Sequence, residues 1–133
     1  MLEINFNQRK IEIDLPNGVY NLGILSGTGK TYLCNAFKYL GSHGYPVRGY
    51  TYEDYLDGKS LKSYINNDNV KYVFIDRYDL YTNEFLDDIQ ELGKTCVVLI
   101  DIKRLHVLDI DTLDADIHLT DNKVVVYSTD SRI

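Results

Sequence analysis

Val19-Tyr20-Asn21-Leu22-Gly23-Ile24-Leu25-Ser26-Gly27-Thr28-Gly29-Lys30-Thr31-Tyr32-Leu33 carries two different periodicities separated by a glycine turn. Val19 to Leu25 has the composition of a short apolar strand, and Ser26-Gly27-Thr28-Gly29 breaks it. From Thr31 the period lengthens. Leu33, Ala36, Phe37 and Leu40 fall at i, i+3, i+4 and i+7, one face of a helix that either Gly41 or Gly44 ends. A strand, a glycine-rich turn and a helix in this order make an anion cradle. Glycines let successive backbone N–H groups turn inward around a phosphate where a Cβ would obstruct it, and the helix N-terminus adds partial positive charge. Lys30 is then within reach of β- and γ-phosphates, and the Thr31 hydroxyl is a ligand for Mg²⁺. The expected nucleotide-binding set is Ser26, Gly27, Thr28, Gly29, Lys30, Thr31 and the adjoining Tyr32. The full pattern begins with a glycine five residues before Gly29, and Ile24 stands there, with Gly23 one place too early.

Working outward, Leu2 to Phe6 and Ile11 to Leu15 alternate apolar and polar, which predicts an antiparallel hairpin around Asn7-Gln8-Arg9-Lys10. Val47 to Tyr52 reads as a strand, and Thr51 with Asp54 as a capping box opening a helix that Gly58 interrupts. Ser60 caps a second short piece carrying Leu61, Tyr64 and Ile65. Tyr72-Val73-Phe74-Ile75 and Cys96-Val97-Val98-Leu99-Ile100 are continuous apolar runs, as expected of strands buried on both faces. Between them Phe85, Ile89 and Leu92 mark a helix, capped at Thr82 or Asn83 and stopped by Gly93. Residues 102–113 are ambiguous, and Ala115 to Leu119 and Lys123 to Tyr127 read as strands joined by a turn. Strands alternating with helices predict an α/β domain, one unit over residues 1–133, with a parallel sheet.

Asp76 follows the apolar run 72–75, the place of a carboxylate that holds Mg²⁺ beside a phosphate loop. Together these residues resemble the P-loop NTPases, and more closely the AAA+-type ATPases of the replication helicase-loader and transposon ATP-binding-subunit kind. Gly27-Thr28-Gly29-Lys30-Thr31, Gly44-Tyr45-Pro46-Val47, Tyr52 to Leu56 and Tyr72 to Asp76 follow that family's order, over about residues 19–101. The resemblance implies a P-loop three-layer sandwich with a mainly parallel central sheet; this chain adds β-hairpins at either end and lacks that family's C-terminal helical lid. It implies ATP and Mg²⁺ as cofactors, Lys30 and Asp76 as catalytic residues, Thr31 and Asp76 as metal ligands, and ATP hydrolysis. Arg77 replaces the acid that orients water in that family, with Asp79 a possible substitute, and Asp101 stands where a polar sensor is expected. Hydrolysis is therefore expected to be weak or partner-dependent. The terminal hairpins look like those of ABC-type ATPase domains, without their Leu-Ser-Gly-Gly signature. Two alternatives stand beside this reading. One is a non-hydrolysing, nucleotide-gated interaction module. The other is a small-molecule kinase using Glu53, Asp54 and Asp57 after the second strand, although no arginine-bearing lid is legible.

Composition bounds the rest. With 44% hydrophobic and 26% charged residues, the 133-residue chain has the balance of a soluble domain and the length for one core. No apolar run approaches the roughly 20 residues of a membrane span, and Met1 to Lys10 lacks a signal peptide's apolar stretch, so a cytoplasmic protein without membrane contact is expected. Charge is uneven, +2 over residues 1–52 and −8 over 53–133, which argues against general nucleic-acid binding while leaving a local contact open. Tyr45, Tyr50, Tyr52 and Tyr55 suit a surface for a protein partner or a second copy, base stacking, or half-buried strand positions. Lys103-Arg104 fits an arginine finger less well than a pair of exposed bases, and the acids at 109, 111, 114 and 116 read as a solvated face. His43, His106 and His118 form no legible catalytic order, and Cys34 and Cys96 read as small hydrophobes.

Overall fold

Asn7 and Gln8 have φ of 49° and 64°, the backbone of a two-residue hairpin turn whose twist matches that of the strands it joins. The turn is thus shorter than the pattern predicts, and Arg9 and Lys10 are strand residues. The computed structural model describes residues 1–22, 29–64, 69–80, 88–102 and 111–133. Its strands are β1 (Leu2–Phe6), β2 (Arg9–Ile13), β3 (Gly18–Asn21), β4 (Val47–Tyr50), β5 (Tyr72–Ile75), β6 (Val97–Ile100), β7 (Leu113–Leu119) and β8 (Lys123–Ser128). The helices are α1 (Lys30–Ser42), α2 (Tyr52–Leu56) and α3 (Leu61–Tyr64), with a 3₁₀ turn at Tyr78–Leu80 and a helical stretch at 88–92.

The strands form one sheet in the order β1-β2-β8-β7-β3-β6-β5-β4. β1 with β2 and β7 with β8 are antiparallel pairs. β2 with β8 is parallel and welds the two hairpins together, and β7 joins β3 in parallel. The expected P-loop three-layer sandwich with a mainly parallel sheet is not what forms: the molecule is a curled, mixed eight-stranded sheet with antiparallel pairs. The reason lies in the alternation. Leu2 and Ile4, Ile11 and Ile13, Ala115 and Ile117, Val124 and Val126 are buried while residues between them are exposed or half-buried. Half the sheet therefore has a single apolar face and offers nothing for a second helical layer to cover. The hairpins are structural halves of the sheet and not appendages to it.

That single face continues into the first core, where Ile11, Ile13, Ile117 and Val126 pack with Leu33, Ala36, Phe37 and Leu40 of α1 and with Phe74 and Leu99. A second core on the opposite face joins Val73, Ile75, Val98 and Ile100 to Leu61, Tyr78 and Ile89. β5 and β6 thus feed both cores, as their uninterrupted apolar runs require. Ile89 and Leu92 take the core-facing places predicted for them, while Thr82, Asn83 and Phe85 lie outside the described residues, as does Ile65.

α1 ends through Gly44, not Gly41. Gly44 has φ of 89°, its N–H donates to Gly41 O, and the Tyr45 N–H donates to Leu40 O. These are the two bonds of a Schellman cap, with glycine in the left-handed position. Gly41 lies inside the helix and serves packing: a Cβ there would stand 2.4 Å from Val47 O on β4. The Thr51–Asp54 capping box forms as predicted and opens α2. No helix among the described residues is long and apolar enough to cross a membrane.

Candidate functional site

β3, β6, β5 and β4 run parallel, so their carboxyl ends share one rim. Asn21 pairs with Ile100, Ile100 with Ile75, and Ile75 with Tyr50. The ladder extends one step further: the Leu22 N–H donates to Ile100 O, the Asp101 N–H to Ile75 O, and the Asp76 N–H to Tyr50 O. From β3 the chain crosses through α1 to the far edge strand β4, returns through β5 and β6, and then reappears as β7 on the other side of β3. Crevices outside the carboxyl ends of strands at such a reversal are where open sheets take ligands.

Asp76 and Asp101 are neighbours on this rim. Each follows an apolar strand, and alternation turns both toward the face that carries Phe74, Leu99 and α1. Adjacent parallel strands lie about 4.8 Å apart, so two carboxylates sit side by side and call for a cation. Lys30, the first residue of α1, supplies one: its Nζ lies 3.0 Å from Asp101 Oδ1, and both side chains are only 5% exposed. Gly29 precedes it as the N-cap with φ of 104°. Glycine is needed there twice over, since a Cβ would also come within 3.1 Å of Leu119. A glycine N-cap gives the helix no side-chain cap, which leaves the first-turn N–H groups suited to an anion.

The predicted residues divide. Lys30 is on the rim beside Asp101, Asp76 ends the neighbouring strand, and Thr31 is exposed on the first turn of α1. Ser26, Gly27 and Thr28 lie outside the described residues, as does Ile24. Tyr32 keeps its N–H in the first turn of α1, but its side chain is directed away from the rim. Its hydroxyl donates to Phe6 O at 2.6 Å, its ring meets Phe6 edge-on, and the Arg9 guanidinium lies 4.8 Å above it. At 100° per residue Tyr32 falls about 200° around the helix from Lys30, which carries it to the β1–β2 hairpin. Asp79 is engaged elsewhere too: Arg77 forks onto it with bonds of 3.1 and 3.0 Å, and the carboxylate is fully buried.

Lys30, Cys34 and Lys38 form one stripe of α1 at four-residue spacing. Burial pushes the Cys34 thiol far up, and Asp76 adds to the shift, so it is an inert packing group and no nucleophile. Lys38 donates to Asp54 at 2.7 Å, and Lys59 at 3.2 Å. Burial alone would raise the Asp54 carboxyl, but the bonds from Lys38, the Thr51 backbone and Lys59 outweigh it and hold the group down at about 2. Its folded-state value is depressed, so it contributes stability above its ordinary 3.8 that is lost as pH falls toward about 2. Asp54→Asn is expected to flatten the acid limb of a pH–stability curve across that window, and an unchanged limb would show that Asp54 is not among the groups responsible.

The structure also separates groups that the sequence lists together. Tyr50 is fully buried and donates to Lys59 O, Tyr52 and Tyr55 stack with centroids 5.8 Å apart, and Tyr45 lies on an open groove with Phe6, Tyr39 and His43. The four tyrosines therefore make no common patch. Arg132 forks onto Asp130 and reaches Asp111, so part of the acidic stretch is clasped by the protein's own cation. Asp109, His106, Lys103 and Arg104 lie outside the described residues.

Sequence reasoning treats Asp101 only as a departure from a polar sensor and misses it as the partner of Lys30. The signal was present. Two strands that each run four apolar residues into an aspartate, 72–76 and 97–101, are parallel neighbours by pattern, and neighbours in phase put both acids together. Among the described residues no group of three or more His, Cys, Asp or Glu is placed to hold a metal. Mg²⁺ needs no such group, because it takes one or two protein oxygens and completes its shell with water and phosphate. The hydroxyl of Thr31 and the carboxylate of Asp76 are hard oxygen donors that fit it. Comparison with protein-family models, with curated proteins and with solved structures finds no match for this chain.

Proposed function

We propose that this protein binds a magnesium nucleoside triphosphate, ATP as the working ligand, at the carboxyl rim of β3, β6 and β5, and hydrolyses it weakly or only when a partner completes the site. The observation that carries this reading is Lys30: a lysine buried to 5% at the first turn of a helix whose glycine N-cap follows a rim strand, beside two adjacent carboxylates. Burying a lysine is costly unless its charge is used or matched, and its neighbours are the groups a metal–phosphate pair requires.

In this reading Gly29 and the first-turn N–H groups hold phosphate oxygens, Lys30 neutralises charge on the terminal phosphates, and Thr31 and Asp76 hold the metal. Mg²⁺ when bound offsets the charge that phosphates and the two rim acids would otherwise bring together. Binding is therefore expected to require the metal. Weak turnover follows from the engagement of both candidate acids: Asp79 is forked by Arg77, and Asp101 is paired with Lys30. The same observation favours a non-hydrolysing, nucleotide-gated module as the second reading. Of the three acids on which the kinase reading rests, Asp54 is held by its capping box and two lysines, while Glu53 and Asp57 are exposed.

Phosphate release from Mg-ATP under single-turnover conditions separates these readings. Without a partner the rate is expected to stay well below the roughly 1–10³ s⁻¹ of ordinary enzymes. A rate inside that range would refute weak hydrolysis. Turnover that appears only with an added acceptor would select the kinase.

A further inference from the structure

We infer that Asp101 is an internal competitor for the ligand phosphate: in the free protein it occupies the place on Lys30 that a phosphate oxygen takes when nucleotide binds. The inference rests on the nucleotide reading and adds to it how the site is kept closed. Asp101 Oδ1 lies 3.0 Å from Lys30 Nζ, within ion-pair distance, and the pair is almost entirely shielded from water. The carboxylate does not wander into this position. Its backbone is pinned on both sides, the Asp101 N–H donating to Ile75 O and the Asp101 carbonyl accepting from the Tyr78 N–H. Lys30 is likewise fixed at its base by the first helical bond, from the Leu33 N–H to Gly29 O.

A ligand that takes Lys30 must therefore exchange one anion for another, and it gains only the difference. That makes a triphosphate with its metal the fitting ligand: the metal at Asp76 supplies a new cation beside the acids, so that Asp101 is not left facing phosphate and Asp76 together. A monophosphate or sulfate without a metal has no means of meeting that charge. The site is expected to respond to Mg-triphosphates and to ignore small inorganic anions.

The test is calorimetric binding of Mg-tripolyphosphate and Mg-ATP to four forms: wild type, Asp101→Asn, Lys30→Ala and the double variant. Asp101→Asn is expected to bind at least tenfold more tightly than wild type, and the gain is expected to vanish in the Lys30→Ala background, because competition needs the lysine. Equal or weaker binding by Asp101→Asn, with wild type binding normally, would overturn the competitor role and leave the nucleotide reading standing. A gain that persists with Lys30 removed would overturn it too, by showing that Asp101 merely repels phosphate through space. Binding by none of the four forms would sink both claims. Should Asp101→Asn fail to fold, the ¹³C resonance of the Asp101 carboxylate in wild-type protein decides. Saturable movement on adding Mg-tripolyphosphate supports exchange, and a resonance unmoved at saturation contradicts it.

Discussion

Lys30→Ala is expected to abolish the proposed binding of Mg-ATP and to lower folding stability by about 3–5 kcal/mol, the size of loss seen when one partner of a buried ion pair is removed. Both effects arise from one ammonium. The substitution takes away the cation 3.0 Å from a carboxylate that is 5% exposed, and it leaves Asp101 beside Asp76 on the same rim. Buried Asp101 then loses its paired cation while it stays next to the Asp76 carboxylate. Urea unfolding followed by circular dichroism measures the stability loss, and calorimetry measures binding. Replacing both partners by apolar residues of similar size, Lys30→Met with Asp101→Leu, is expected to recover most of the stability and none of the binding. Recovery of both would mean that the pair is structural and the ligand sits elsewhere. Stability unchanged in Lys30→Ala would mean that the pair is not formed in solution.

Gly41→Ala is expected to destabilise the protein by about 2–3 kcal/mol, although alanine is the better helix former. The propensity gain is about 1 kcal/mol. Against it, the added Cβ would lie 2.4 Å from Val47 O and 2.9 Å from Arg48 Nη1. The first of these atoms is backbone of a strand hydrogen-bonded into the sheet, so it cannot swing aside as a side chain would. Relief requires α1 to lift from β4, and overpacking of this kind costs about 1–3 kcal/mol before the bond from Arg48 to Gly41 O is counted. The closeness is mutual, since a Cβ on Gly49 of β4 would meet Cys34 O at 2.9 Å. A denaturation midpoint at or above that of wild type would contradict this packing. Because α1 carries Lys30, Thr31 and Cys34, Gly41→Ala is also expected to weaken ligand binding in proportion to the displacement.

These two residues show what the sequence made legible and what it hid. The helix from Lys30, its apolar face and both central strands were readable because their periodicity is local and strong. Whether Gly41 or Gly44 ended the helix was not, since both are glycines in range and only the left-handed φ of Gly44 and the nearness of β4 to Gly41 separate their roles. The hairpins at 2–13 and 113–128 were also readable as hairpins. Their fate was not, because the parallel pairing of Ile11 with Val124 and Ile13 with Val126 joins residues more than a hundred positions apart, and no local pattern records such a pairing. That pairing welds both antiparallel hairpins into the one sheet, and their single apolar faces leave a curled mixed sheet in place of the expected layered sandwich.

The site followed the same rule. Lys30 and Asp76 came from spacing and strand ends, and both are on the rim. Tyr32 was included for being next in line; its N–H lies in the first turn of α1, and helix geometry takes its side chain to Phe6 and Arg9. Asp101 was hidden for a different reason: it was compared with what a resemblance led one to expect, when its meaning lay in being the twin of Asp76 on a strand in register. Asp79 was read as a possible substitute for the missing acid, its reach left open, and only the fork from Arg77, whose own φ is 52°, shows that it is engaged.

The central claim is a place: the carboxyl rim where Gly29, Lys30, Asp76 and Asp101 meet. Amide chemical shifts of uniformly ¹⁵N-labelled wild-type protein, followed while Mg-ATP is titrated, test it most directly. The account predicts saturable shifts concentrated at Leu22, Gly29 to Thr31, Asp76 and Asp101, with the groove of Phe6, Tyr39 and Tyr45 unmoved. Shifts centred on that groove, or none at millimolar Mg-ATP, would contradict it.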